Sequence, residues 1–206
     1  MNKANFIEFY FDCSSPWTYL AFVEILPLSQ RQNIEIIWKP ILVGGVFNSV
    51  NQDVYQFRKN PNPLKVEYSA KDLNLWAQVR KINISIPKIF PVNSVKAMRG
   101  CLFAMKKNCL PFFAQMVFEA YWGLGLDISD EGILIKIAES AGLSPMEFKQ
   151  YIDSQEAKDL LISNSSELIG KGGFGSPTIF YQNQMFFGND RLHLLEEVIS
   201  KEITYS

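Results

Sequence analysis

The stretch FYFDCSSPWTYLAF, residues 9–22, runs an aromatic, strand-like segment straight into Ser-Ser-Pro and then into a helical pattern. Residues 6–12, FIEFYFD, are almost continuously apolar, which suits a central strand covered on both faces. From Trp17 to Leu28 the pattern is helical, and Pro16 fits the first helical turn, where its missing N–H is not needed. Ser14 or Ser15 is placed to cap the exposed amides of that turn. A second β-like run, IEIIWKPIL at residues 34–42, completes a β-α-β start of the kind that builds half of a parallel sheet.

Outward from that unit, the β signal fades between residues 45 and 172 and helix signals take over. Asn93 precedes SVKAMRGCLFAMKK, Pro111 opens PFFAQMVFEAYWG, and Ser129 precedes DEGILIKIAESAG. Ser144-Pro145-Met146-Glu147 has capping-box spacing with proline at the first helical position. KGGFGSP then breaks the helical block, and two short β-like runs, TIFYQ and MFFG, flank a turn-like Asn-Gln. A last amphipathic helix starts near Asp190 and carries Leu192, Leu195 and Ile199 at helical spacing. This element order predicts an α/β chain: a thioredoxin-like fold from residues 1–44 and 173–206, with an inserted all-helical domain at 45–172.

The composition, 206 residues with 48% hydrophobic and 20% charged, supports one substantial core. Twenty Lys and Arg stand against twenty-one Asp and Glu without a basic run, which disfavours nucleic acid and anionic membranes as partners. No secretory leader or membrane-length apolar run is read, so a soluble, cytoplasmic protein is expected. Cys13, Cys101 and Cys109 are too scattered for a disulfide framework, and with one histidine they form no metal cluster. All three are expected to be core thiols, with Cys13 open to a second reading as a redox-sensitive neighbour of the junction.

In this topology the junction at Ser14-Ser15-Pro16 lies at the carboxyl edge of the sheet, where open α/β sheets bind ligands. Helix N-terminal amides stabilise a thiolate, so thiolate chemistry belongs there. A disulfide oxidoreductase needs Cys-x-x-Cys at this point, whereas the tetrad here is Ser15-Pro16-Trp17-Thr18. A serine nucleophile needs a base, and the one histidine, His193, is far away in sequence. Two readings of the serines remain: a plain N-cap, or a hydroxyl that donates to a thiolate brought from outside, with glutathione as the candidate thiol. Lowering that thiol's pKa from about 8.5 to about 6.5 makes it mostly ionised near neutral pH.

The chain resembles the glutathione-dependent 2-hydroxychromene-2-carboxylate isomerases and the kappa-class glutathione transferases along essentially its whole length. The likeness rests on FYFDCSSPWTYLAF, NPNPLKVEYSAKDLNLWA (60–77), FPVNSVKAMRG (90–100) and FGSPTIFYQNQMFFGNDRLHLLE (174–196). The resemblance implies that Ser15 hydrogen-bonds and activates the glutathione sulfur, with Pro16 and Trp17 lining the same pocket. It implies a cis Pro177 after Ser176, whose backbone pairs with the cysteinyl part of glutathione. It places the γ-glutamyl end on Asn189 and Asp190, and polar contacts to glutathione and substrate on Asn60 and Lys65. One departure is clear: where some isomerases carry a substrate-contacting lysine after the second strand, this chain has Phe47.

The resemblance therefore implies a glutathione-dependent isomerase acting on a small aromatic or unsaturated carbonyl substrate, and a homodimer. A kappa-like transferase or peroxidase and a non-catalytic glutathione- or peptide-binding module are the alternatives; a disulfide oxidoreductase ranks below both. Phe118, Tyr121 and Trp122 read first as helical core and second as the lining of an aromatic pocket.

Overall fold

The computed structural model of the chain describes residues 6–201. Strands β1 (Phe6–Phe11), β2 (Glu35–Pro40), β3 (Thr178–Tyr181) and β4 (Gln184–Phe187) form one sheet in the order β2-β1-β3-β4. β1 pairs parallel with β2 and antiparallel with β3, so it is central. Side-chain alternation sends Ile7, Phe9 and Phe11 into the large core and Tyr10 into a smaller one with Ile41, Leu168 and Phe180. Both faces are covered, which is why the segment reads as an unbroken apolar run. Glu8 is the exception, and Lys171 meets its carboxylate at 2.5 Å.

Helix α1 (Pro16–Gln32) connects the parallel pair and ends on Asn33 in the left-handed conformation. Between β2 and β3 the chain is helical: α2 (Val43–Val50), α3 (Asp53–Lys59), α4 (Pro63–Arg80), α5 (Val95–Lys106), α6 (Leu110–Phe118), α7 (Glu131–Ser140), α8 (Pro145–Ile152) and α9 (Gln155–Gly170). One π-helical turn, Glu119–Gly123, extends α6. After β4, a single 3-10 turn at Asn189–Arg191 leads into α10 (Leu192–Lys201), which buries Leu192, Leu195 and Ile199 as its spacing predicts. No described helix is long and apolar enough to cross a membrane.

Several boundaries differ from the sequence reading, each for a local reason. Ser144 does cap α8, accepting from the Glu147 amide, but α5 starts after Ser94 rather than Asn93. The Ser94 hydroxyl is turned away to Asp12, and Asn93 accepts from the Val95 amide instead. Asp130, not Ser129, caps α7 because its carboxylate reaches two first-turn amides. The β3–β4 turn is Gln182-Asn183 rather than Asn183-Gln184; both have positive φ, the geometry of a two-residue hairpin loop.

The end of β1 is the most densely bonded point of the fold. Asp12 is fully buried, and its carboxylate accepts from the Ser14 amide (2.9 Å), the Val43 amide (2.8 Å) and the Ser94 hydroxyl (3.0 Å). Its own amide donates to the Ser176 hydroxyl at 3.0 Å. One residue on, the Cys13 carbonyl accepts the indole N–H of Trp122 at 2.9 Å. Burial raises the Asp12 pKa above the ordinary carboxylate value, against the lowering effect of these donors.

Truncating this carboxylate strands three donors, so Asp12→Ala is expected to destabilise the protein by about 3 kcal/mol, with a smaller loss for Asp12→Asn, in urea denaturation. Because the folded pKa is raised, the stability carried by protonated Asp12 is present below the unfolded value of about 3.9 and is lost as pH rises through the folded value. Wild type should accordingly lose stability relative to Asp12→Asn as the pH is raised from about 4.

Candidate functional site

Ser15 is the N-cap of α1, with extended backbone and a side-chain oxygen that accepts from the Thr18 amide at 3.3 Å. Its hydroxyl proton goes to the Ser176 carbonyl at 3.4 Å. Both bonds are at the long limit, so the hydroxyl is re-aimed at little cost. Pro16 brings no N–H and no acidic residue stands in the first turn, which leaves the positive end of α1 unneutralised by its own side chains. Ser14 has another job: its amide closes the turn onto Asp12.

The peptide bond between Ser176 and Pro177 is cis. The Ser176 hydroxyl lies 2.8 Å from the Thr18 hydroxyl and accepts from Asp12, so its side chain is fixed from beneath. Trp17, Ser176 and Phe187 form a seam between two cavities, because they line both.

One cavity, about 560 Å³, runs from Trp17 and Pro177 to Asn189, Asp190 and Arg191, and α4 covers it with Tyr68, Asp72 and Trp76. Asn189 is 2% exposed, yet neither its amide oxygen nor its nitrogen has a partner. A buried carboxamide without partners is costly, and in a cavity wall it fits a ligand that both donates and accepts. Asp190 is exposed and pairs with Arg191 at 2.8 Å.

The other cavity, about 690 Å³, contains Ser14 and Ser15 at one end and is mainly apolar beyond them. Arg58 of α3 is the one charged residue in its wall, with its guanidinium 5.8 Å from the Phe47 ring centre and 5.7 Å from that of Phe90. It has no carboxylate partner among the described residues. Sequence reading missed it because α3 gives no motif, and only the fold brings Arg58 to the Phe47 and Phe90 rings.

The remaining candidates divide. Pro16 and Trp17 line the Ser15 cavity, whereas Asn60 and Lys65 are exposed and line neither cavity: Asn60 ends α3, and Lys65 lies on the open first turn of α4. Phe118, Tyr121 and Trp122 are buried core side chains. His193 is exposed on α10. Cys13 and Cys101 are buried and free, and Cys109 is half-buried. Burial, with Cys101 beside it, pushes the Cys13 thiol well above its ordinary pKa, which makes it a poor nucleophile.

Residues 6–200 match the family model described as a DSBA-like thioredoxin domain. A 2-hydroxychromene-2-carboxylate isomerase of Sphingobium xenophagum is 27% identical, with 94% of this chain and 97% of the relative covered. Glutathione S-transferase kappa 1 of Rattus norvegicus is 25% identical, with 95% and 91% covered. Among solved structures, a 2-hydroxychromene-2-carboxylate isomerase superposes with a TM-score of 0.82 at 27% identity, covering 96% of this chain and 95% of that one.

The thiol environments make a direct expectation. Brief alkylation of the native protein, read by peptide mass spectrometry, should modify Cys109 first and leave Cys13 untouched until urea unfolds the chain. Rapid native labelling of Cys13 would contradict the burial argument.

Proposed function

The chain belongs to the DSBA-like thioredoxin domain family, and from that premise we propose that it is a glutathione-dependent isomerase of an unsaturated carbonyl acid, of the 2-hydroxychromene-2-carboxylate isomerase type. The observation that carries this reading is a serine hydroxyl on an unneutralised helix terminus, beside the seam of two unlike cavities. One cavity holds an unpartnered buried carboxamide and suits a peptide-like thiol; the other is apolar with a single guanidinium and suits a carboxylic acid with an apolar body.

Glutathione supplies a thiolate that adds reversibly to the conjugated double bond, permits rotation there and leaves unchanged. The protein's part is to hold charge and position. Ser15 turns its proton from the Ser176 carbonyl to the sulfur, and the α1 amides favour the ionised thiol at that point. Residues at the seam hold the tripeptide: the backbone around Ser176 and Pro177 pairs with it as an added strand, while Asn189 takes up its α-carboxylate and ammonium end. Asp190, once released from Arg191, is the anion beside Asn189 that meets that ammonium, with Asp72 of α4 in the same wall. Arg58, held over Phe47 and Phe90, binds the substrate carboxylate in place of a lysine at position 47.

Calorimetry should detect glutathione binding, and the ultraviolet absorbance of the bound thiolate should titrate at a lower pH in wild type than in Ser15→Ala. The same substitution should lower kcat/KM by about 100-fold or more. Unchanged turnover in Ser15→Ala, or a protein with no affinity for glutathione, sinks the proposal; net consumption of glutathione during turnover replaces isomerisation with conjugation.

Arg58→Ala should raise KM for 2-hydroxychromene-2-carboxylate by about tenfold or more and leave glutathione affinity unchanged. Equal weakening of both ligands would assign Arg58 to the structure of the cavity rather than to the carboxylate.

A further inference from the structure

Helix α2, residues Val43–Val50, carries glycine at its second and third positions. Glycine is the least favourable helix residue after proline, so two in an eight-residue helix need a reason. The usual reasons are a left-handed backbone, tight packing inside the chain, or close approach by something outside it. Neither Gly44 nor Gly45 has a positive φ. A Cβ built on Gly44 meets nothing within 4 Å, and one on Gly45 meets only Leu42 at 3.9 Å, an ordinary contact. Gly100 shows what a packing glycine looks like: its Cβ would stand 2.9 Å from both Phe113 and Phe148.

The third reason remains, and its place is known. Both glycines line the cavity that holds Ser15 and Arg58. Gly45 also borders a separate groove with Arg99 and Ile162, so Gly44 is the cleaner of the two. We propose that Gly44, with Gly45 beside it, is a specificity-determining position: the bare backbone of α2 receives the face of the substrate's ring system while Arg58 holds its carboxylate. This deepens the reading proposed above and rests on it for the reaction, though not for the shape of the cavity. A fused-ring acid is flat and wide, and a methyl group at position 44 stands in the open space that such a ring needs. A narrow, open-chain acid held by Arg58 covers less of that wall.

The test pairs Gly44→Ala and Gly44→Val with Gly170→Ala, an open helix glycine outside the Ser15 cavity, as control. Binding is read by calorimetry in the presence of glutathione, with two unreactive probes, 2-naphthoate for the flat bicyclic acid and hexanoate for the open-chain one. Gly44→Ala should weaken 2-naphthoate by about tenfold, and Gly44→Val by more. Hexanoate should change by less than about twofold, and the melting temperature of Gly44→Ala should hold or rise, since alanine favours helix. Gly170→Ala should leave both probes unchanged. Failure of wild type to bind 2-naphthoate, unchanged naphthoate affinity in both variants, or an equal loss of both acids overturns the proposal; the last would make the glycines a backbone requirement of α2. If the discrimination appears in a protein without glutathione-dependent turnover, the wall at Gly44 stands and the reaction proposed above falls.

Discussion

The buried carboxylate of Asp12 is the constraint on which the site hangs. Three groups donate to it, and each belongs to a different segment: the Ser14 turn, the first amide of α2 and the residue before α5. Its amide adds a fourth segment through Ser176. Those four segments are walls of the Ser15 cavity, so one side chain sets their mutual distances. The geometry also limits the field of an anion three residues from the Ser15 cap. Three donors spread the charge, and burial raises the pKa toward the neutral form.

What the sequence made legible follows from how local each signal is. The β1 run, the proline-opened α1 and the Ser144 cap are readable because short-range sterics and periodicity write them. Ser15, Trp17, Ser176 and Asn189 were legible through resemblance, and the fold brings them to the seam or its two cavities. Asn60 and Lys65 come from the same likeness but fall on a solvent-exposed helix end and first turn. Asp12, Arg58 and the α4 cover of Tyr68, Asp72 and Trp76 went unread. Their roles depend on contacts across the chain: Asp12 meets Ser94, eighty-two residues away, and no local pattern encodes such a pair.

Family membership sharpens what the missing cysteines mean. The positive end of α1 persists whether or not a thiol is covalently attached to it, because it comes from backbone amides. Ser15 at the head of α1 offers a hydrogen-bond donor rather than a covalently attached sulfur. The chain's own nearby thiol offers no substitute: Cys13 is fully buried and its ionisation is suppressed. Under the proposed reaction, the thiolate at the head of α1 therefore comes from a diffusible molecule.

The seam and the far wall of the Ser15 cavity differ in how firmly they are held. The seam is made by α1 and the loops around β3 and β4, elements anchored in the sheet. That far wall is made by α2, which buries only Val43 and Val46, and by α3, which buries nothing, together with residues 90–95. Few buried contacts mean a low local cost of opening, so this wall belongs to the less stable part of the molecule. The glycines of α2 lower that stability further. Stability is thus lower in the α2–α3 wall of the Ser15 cavity, while the Asp12 bonds tie the first residue of α2 to the Ser14 turn. An anchored seam beside a weakly buried, glycine-lined wall means that the shape of this cavity can be altered through α2 and α3 without disturbing the sheet.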